Sequence, residues 1–374
     1  MRLAFSPIDT WFFRDGTPFD KDASPQAGVL GVFPPYPPTV AGAIRAALAR
    51  QNGWDGRARW SRELENVLGD GPENLGQLRI TGPFVLKKGS PVFPMPRHVL
   101  GCRTDNDDWR PKTILRPGTT SHASDLGPSV RFPELDKLDK DTNDTRSIAP
   151  GNRQWVTLAG LACVLQGELP NAKHLLDESE IWVAESRVGI AREPSSRTVA
   201  EGALYSTRHV RLRPNVSIGV EVEGLPVGWQ SPAGSVLPLG GESRLASCEA
   251  AGADAKVEFH NKDTLRSTAV LVALTPILLE RDVLFGRTEL PVGARIESAC
   301  MDRPLRIGGW DSIRRAPLRM KNAIAPGSTL FCRVDHADKL QKTMASGLLR
   351  IGAWTSVGFG LCAVGTAPSW EITR

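Results

Sequence analysis

Ser328-Thr329-Leu330-Phe331-Cys332-Arg333-Val334, then Asp335 and a segment of helical period, then Ile351-Gly352-Ala353-Trp354-Thr355-Ser356-Val357-Gly358-Phe359-Gly360, is the stretch that decides the fold. Leu330, Cys332 and Val334 alternate with Phe331 and Arg333, the period of a half-buried strand. Asp335 can cap a helix in which Ala337, Leu340, Gln341, Met344 and Leu348 recur at helical spacing, with Gly347 as its stop. An apolar run from Leu361 to Val364 supplies a second strand. Between helix and strand, three glycines leave backbone N–H groups bare. Such a loop is either a nest for a phosphate or a tight turn that needs glycine for geometry alone.

Working outward, Ser267 to Leu279 is apolar at odd and even positions alike and reads as a central strand buried on both faces. In Ser206 to Glu223 the even positions Val210, Leu212, Val216, Ile218, Val220 and Val222 are apolar, with a bend at Pro214-Asn215. Alternation then puts His209, Arg211 and Arg213 on the opposite face, either as a track for a phosphate backbone or as a solvated surface. Near the N-terminus, Met1 to Phe5 reads as a strand. Thr39 can cap a helix with Val40, Ala43, Ile44, Ala47 and Leu48 on one face. Leu78–Leu86 and Val92–Leu100 can form a hairpin around Lys87-Lys88-Gly89-Ser90, confined to an edge or to bulges by prolines 83, 91, 94 and 96. This β-α-β-β order is how a ferredoxin-like (RRM-like) domain begins, and the C-terminal β-α-β is how one ends. The expected fold is therefore α+β: two tandem ferredoxin-like domains, 1–232 and 233–374, with long loop insertions and the glycine-rich loop at 351–360. Gly101 to Arg153 is polar and weakly periodic, and reads as a long surface insertion.

At 374 residues, 41% hydrophobic and 23% charged, the chain is of ordinary globular composition. A net charge of +5 favours an anionic partner only mildly, so its distribution matters more. Arg303, Arg306, Arg314, Arg315, Arg319 and Lys321 surround Gly308-Gly309-Trp310, the densest basic segment of the chain. Glycines, an aromatic and forked guanidinium groups suit single-stranded nucleic acid, and a protein interface uses the same residues. The six cysteines are scattered without CxxC spacing, and Cys332 and Cys362 read as small buried hydrophobes in a reducing cytoplasm. No apolar run reaches 18 residues, so no membrane span is expected. The six histidines show no HxxxH or HExxH spacing. His122 and His209 are the candidates for general acid–base chemistry, with surface or RNA-contact roles as the alternative. Asp9, Asp15 and Asp20 can hold a metal or simply shape turns. No Walker or Ser-His-Asp signature is present, so no cofactor, no metal and no catalytic residue is expected.

One ordered set of segments carries a further signal. Pro7 to Phe19, Phe33 to Arg45, Arg187-Val188-Gly189-Ile190-Ala191-Arg192-Glu193, Arg197 to Tyr205, Leu239 to Leu245, Gly308-Gly309-Trp310-Asp311 and the glycine loop together resemble the third-subunit family of Cmr (type III-B CRISPR) effector complexes, within the RAMP superfamily. Ala353 departs from the family's frequent Gly pair. The resemblance implies a non-catalytic, cytoplasmic RNA-binding subunit in antiviral defence. Such a subunit holds the 5′ repeat-derived handle of the CRISPR RNA and bridges the large polymerase/cyclase-like subunit to the backbone subunit, with target RNA engaged only indirectly. It further implies that Arg187, Arg192, Arg197, Arg208, His209, Arg211, Arg213, Arg244, Arg306, Arg314, Arg315 and Lys321, with Gly352, Gly358 and Gly360, hold phosphates, and that Trp310 or Phe359 supports splayed bases. The alternative within the superfamily is an endoribonuclease that processes repeat RNA and would need a general acid or base near the glycine loop.

Overall fold

The computed structural model describes residues 1–14, 31–57, 59–135, 148–192, 195–196, 198–259, 267–280, 283–311 and 316–366, with backbone alone at 191–192 and 199–205. The fold is a strand-rich α+β fold. Two compact units interleave along the chain. The first takes Met1–Gly89, Ser179–Gly252 and Arg306–Asn322, and the second takes Ser90–Glu178, Ala253–Leu305 and Ala323–Arg374. Position 232, the expected boundary, lies inside a segment of the first unit.

In the first unit, antiparallel strands follow the order Ser235–Pro238, Leu245–Ala250, Arg2–Pro7, Val216–Glu223, Arg79–Lys87. Val216, Ile218, Val220 and Val222 turn into the core with Leu3 and Phe5, as alternation requires. Asn215, at φ 62, makes the bend after Pro214, a conformation that Asn tolerates better than most residues. Register slips between Gly219 and Glu221 opposite Gly82-Pro83, since proline has no N–H to give the ladder. The helix Pro37–Gln51 buries Val40, Ala41, Ile44 and Leu48. It starts three residues before its expected start at Val40. Pro37 and Pro38 lack N–H groups and preset φ, which suits a first turn, and Tyr36 stands at the N-cap, where its side chain does not cap the helix. A two-stranded ribbon, Trp182–Arg192 against Val199–Leu212, completes the scaffold of the site described below.

In the second unit, six strands run in the order Glu289–Leu290, Ala294–Cys300, Thr329–Val334, Thr268–Ala273, Leu361–Gly365, Leu348–Arg350. Every residue of Thr268–Ala273 is buried, as its unbroken apolar run anticipates. Cys332 and Cys362 are fully buried, and desolvation raises both thiols. The helix after Val334 is shorter than its periodicity suggests and spans Ala337–Thr343. Leu348 instead joins a strand opposite Ala363, with Gly347 at φ 70 turning the chain. Asp335 does not cap this helix; it grips Arg295 through two bonds of 2.8 and 2.6 Å, and His336 stands at the N-cap.

The stretch 101–153 is more ordered than a loop insertion. Val99–Arg103, Trp109–Ser124, Gly127–Leu135 and Ala149–Pro150 form a four-stranded sheet, with 136–147 outside the described residues. Register shifts at Leu100/Gly101, Pro117/Ser121 and His122/Ser124 break the period of two, and most of its residues are wet on both faces. Apolar alternation is thereby erased from the sequence. Among the described residues no helix is long and apolar enough to cross a membrane.

Candidate nucleic-acid interface

Strand pairing in the ribbon sets Glu185 opposite His209 and Arg187 opposite Thr207, with Arg211 two residues further along the same face. Residues 8–13 run along the other edge of the Val199–Leu212 strand, where Trp11 and Val210 exchange backbone bonds of 2.9 and 2.7 Å. This brings Asp9 to the arginines. Arg187 Nη2 donates to Asp9 Oδ2 at 2.6 Å and Arg211 Nη2 to Asp9 Oδ1 at 3.0 Å, while Arg244 Nη1 stands 3.7 Å from Oδ2. Glu185 accepts from Arg187 Nε at 3.0 Å through one oxygen and from Arg211 Nε through the other. Glu242 lies 3.7 Å from Arg244 Nη2. Three arginines thus meet three carboxylates. The guanidinium hydrogen bonds hold the carboxyls of Asp9 and Glu185 below the usual carboxylate range.

His209 does not belong to an exposed basic row. Its side chain is fully buried, stacked on Phe12 at 5.2 Å. Glu242 Oε2 can only accept, so Nε2–H donates to it at 3.0 Å, and Nδ1 accepts from the Thr10 hydroxyl at 3.1 Å. Desolvation pushes its pKa down, favouring the neutral ring. Alternation within one strand places a residue on a face but does not reveal that residues 9–13 and 240–242 cover that face. Glu242 and Ser243 both take φ 53, a left-handed conformation uncommon outside glycine and not readable from the sequence. Glu185 was readable, two residues before Arg187 on the same strand face. Asp9, weighed as a metal ligand or turn residue, is bound by arginines; Asp15 and Asp20 lie outside the described residues.

The other expected RNA contacts scatter. Arg208 is exposed opposite Ser186 on the far face of the ribbon, and Arg213 donates Nε to the Ser179 carbonyl at 2.8 Å. Arg197, Arg314 and Arg315, and the side chain of Arg192, lie outside the described residues. The densest basic segment keeps its exposed character where it is described. Trp310 is 60% exposed, and Arg306, Arg319 and Met320 are exposed as well. A short antiparallel pairing, Trp310↔Pro317 and Asp311↔Ala316, shapes the segment, and Leu318 N donates to Gly309 O at 2.9 Å. On its inner side Asp311 is buried within the Coulombic reach of Arg45. Arg45, pushed down to about 10 by desolvation, ties the 69–71 turn through bonds of 2.9 and 2.8 Å to the carbonyls of Gly69 and Gly71. Lys321 reaches Glu73 at 3.4 Å.

The glycine loop is closed rather than bare. Gly358, Phe359 and Gly360 are buried, and Phe359 packs edge-on against Trp354 at 5.7 Å, so Phe359 offers no face to a base. Ala353 N donates to Leu278 O and Gly360 N to Pro276 O, both at 2.8 Å. A Cβ on Gly360 would stand 1.9 Å from Ile351 O, and one on Gly352 would stand 2.3 Å from Leu278 O. Gly352 alone of the three glycines is exposed. Close backbone approach explains glycine at 352 and 360, and a φ of 114 explains it at 358, the turn alternative of the sequence reading.

The comparisons agree with the resemblance. The chain is 21% identical over 287 residues to the CRISPR system CMR subunit Cmr3 of Saccharolobus solfataricus, covering 76% of this chain and 71% of that protein. Its fold is similar to a chain in the cryo-EM structure of the type III-B Cmr-beta complex bound to cognate target RNA and AMPPnP, with a TM-score of 0.52, 19% identity, and coverage of 88% of this chain and 86% of that one. A second structure of that complex, bound to cognate target RNA, gives a TM-score of 0.50 at 20% identity and the same coverage. The sequence model described as CRISPR-associated protein (Cas_Cmr3) matches residues 3–367, and the chain therefore belongs to the Cmr3 family of type III-B CRISPR effector subunits.

Proposed function

We propose that this chain is a non-catalytic, RNA-binding subunit that holds the 5′ repeat-derived handle of a CRISPR RNA and bridges the large polymerase/cyclase-like subunit to a backbone subunit. On this reading its two units are elaborated ferredoxin-like domains. The observation that carries it is the segment Arg306–Asn322. There an indole 60% exposed sits among exposed arginines, while Asp311 and Lys321 fasten the segment to the body of its unit. A fixed, exposed aromatic flanked by cations is what a splayed base and its phosphates require. His209, the histidine a repeat-cleaving enzyme would draw on in the basic strand, is buried between Thr10 and Glu242 and offers no nitrogen to a substrate.

The test is purification of the tagged full chain from its native host, followed by sequencing of the RNA that accompanies it. Short RNAs sharing one repeat-derived 5′ end are the expected result. Intact complexes without such RNA would leave a role in protein contacts alone. Cleavage of repeat RNA by the purified chain would overturn the non-catalytic assignment.

A further inference from the structure

We propose that Asp9 stands in for a phosphate. In this proposal the guanidinium groups of Arg187, Arg211 and Arg244 form a site for one phosphodiester of single-stranded RNA, which takes the place of the Asp9 carboxylate. The proposal rests on the RNA-binding reading above and assigns that reading a specific subsite and a built-in competitor.

The division of labour among the three carboxylates carries it. Glu185 takes the Nε edge of both Arg187 and Arg211, and Glu242 lies beside Arg244 while also accepting from His209. These contacts fix where the guanidinium groups sit. Arg187 Nη2 is shared, donating to Glu185 Oε1 at 2.8 Å as well as to Asp9, and Glu242 stands 3.7 Å from Arg244 Nη2. Asp9 alone meets all three arginines, wholly through Nη atoms, at 2.6, 3.0 and 3.7 Å, and it is the most exposed of the three acids at 48%, against 31% and 32% for Glu185 and Glu242. Withdrawing Asp9 therefore leaves Arg187 and Arg211 held by Glu185 and frees the Nη N–H groups that Asp9 had occupied. Little has to move. The backbone is tied on both sides, by Ile8 N to Leu245 O at 3.1 Å and by Trp11 N to Val210 O at 2.9 Å, so rotation of one exposed side chain suffices.

The chemistry also matches. A phosphodiester carries one negative charge and paired oxygens, as a carboxylate does, and guanidinium forks bind both in the same bidentate manner. Exchange of one for the other keeps the three-against-three charge balance of the cluster. Arg244 Nε is buried with no hydrogen-bond partner among the described residues, so the cluster is not saturated by its own acids. With Asp9 in place, the site disfavours weak, nonspecific anions, because each must displace a carboxylate already held by the arginines.

The test uses the full-length chain and a short single-stranded RNA, with affinity measured across a salt series. Asp9→Asn, isosteric and uncharged, should tighten binding several-fold and steepen the salt slope by about 0.7, the increment for one phosphate on a single strand, because that phosphate then neutralises a cation without expelling a carboxylate. Glu223→Gln, on an exposed residue at the end of the Val216–Glu223 strand, makes the same change in net charge and should do neither. Asp9→Glu keeps the charge and should bind like the wild type. Adding Arg187→Ala and Arg211→Ala to Asp9→Asn should erase the gain. If Asp9→Asn and Glu223→Gln behave alike while the wild type binds with a clear salt slope, the stand-in proposal fails and the RNA-binding reading survives. If the wild type shows no salt-dependent binding, both fall.

Discussion

Nε2 of His209 donates to Oε2 of Glu242 across 3.0 Å, and Glu242 reaches that position from a backbone held at φ 53. A buried donor that loses its acceptor costs about 1–3 kcal/mol. Glu242→Ala should therefore destabilise the chain by about that amount. Glu242→Gln keeps an acceptor and should lie close to the wild type. Glu242→Gly should recover part of the loss, because glycine takes positive φ freely. Urea unfolding of the three variants checks this. Equal stability of Glu242→Ala and the wild type would mean the bond does not hold the turn.

The buried histidines set a pH dependence. His98 is 2% exposed, bonds Thr329 Oγ1 through Nδ1 at 2.8 Å, and is pushed down to about 3 by desolvation. Its folded pKa lies below its unfolded value, so the unfolded chain binds the proton more readily. The contribution to stability is complete above about pH 6.5 and is lost as pH falls toward 3, by up to about 1.4 kcal/mol per pH unit. His209, also lowered, adds in the same direction. Urea midpoints at pH 7.5, 6.5 and 5.5 should fall in that order, and His98→Gln should flatten the decline. A flat wild-type profile across this range would contradict the assignment.

Gly360→Ala should damage the fold and not the RNA surface. Its φ of 74 is left-handed, which costs a non-glycine residue about 1–2 kcal/mol, before the approach of its Cβ to Ile351 O at 1.9 Å is counted. Phe359→Ala, at a fully buried position, should cost about 3–5 kcal/mol. Thermal unfolding reads both. A loss of RNA affinity with unchanged stability would return the loop to the binding surface.

Trp310 and the neighbouring arginines should separate by their response to salt. Trp310→Ala removes an exposed indole, so stability should hold while RNA binding weakens by about 1–3 kcal/mol at every salt concentration. Arg306→Ala with Arg319→Ala should instead reduce the salt slope by about 1.4, the value for two phosphate contacts on a single strand. If the arginine pair leaves the slope unchanged, those side chains face a protein partner or solvent.

Elements whose pattern is local were legible in the sequence. The strand through Thr268–Ala273, the alternation of Val216–Glu223, the bend at Asn215 and the exposed Trp310 segment all follow from periodicity, turn chemistry or composition within a few residues. The site was half legible. Arg187, Arg211 and Arg244 were named, but their carboxylate partners come from three separate parts of the chain, and only the fold brings Asp9 and Glu242 to them. His209 was misplaced because a period of two reports a face, and burial of that face depends on what else packs there; Phe359, expected beside a base on the resemblance, is instead buried against Trp354 in the closed loop. The sheet between Val99 and Pro150 was missed because bulges and two wet faces remove the alternation by which strands are recognised.

Interleaving of the two units constrains how the molecule is made. The chain passes between them five times, and Arg306–Asn322 of the first unit is made only after two segments of the second, Ser90–Glu178 and Ala253–Leu305. A ribosome working at about 5–20 residues per second therefore holds the first unit unfinished until Asn322 has been added. The segment that carries Trp310 reaches its place on the first unit only then, so a nascent chain cannot present that surface to RNA before the body behind it is nearly whole.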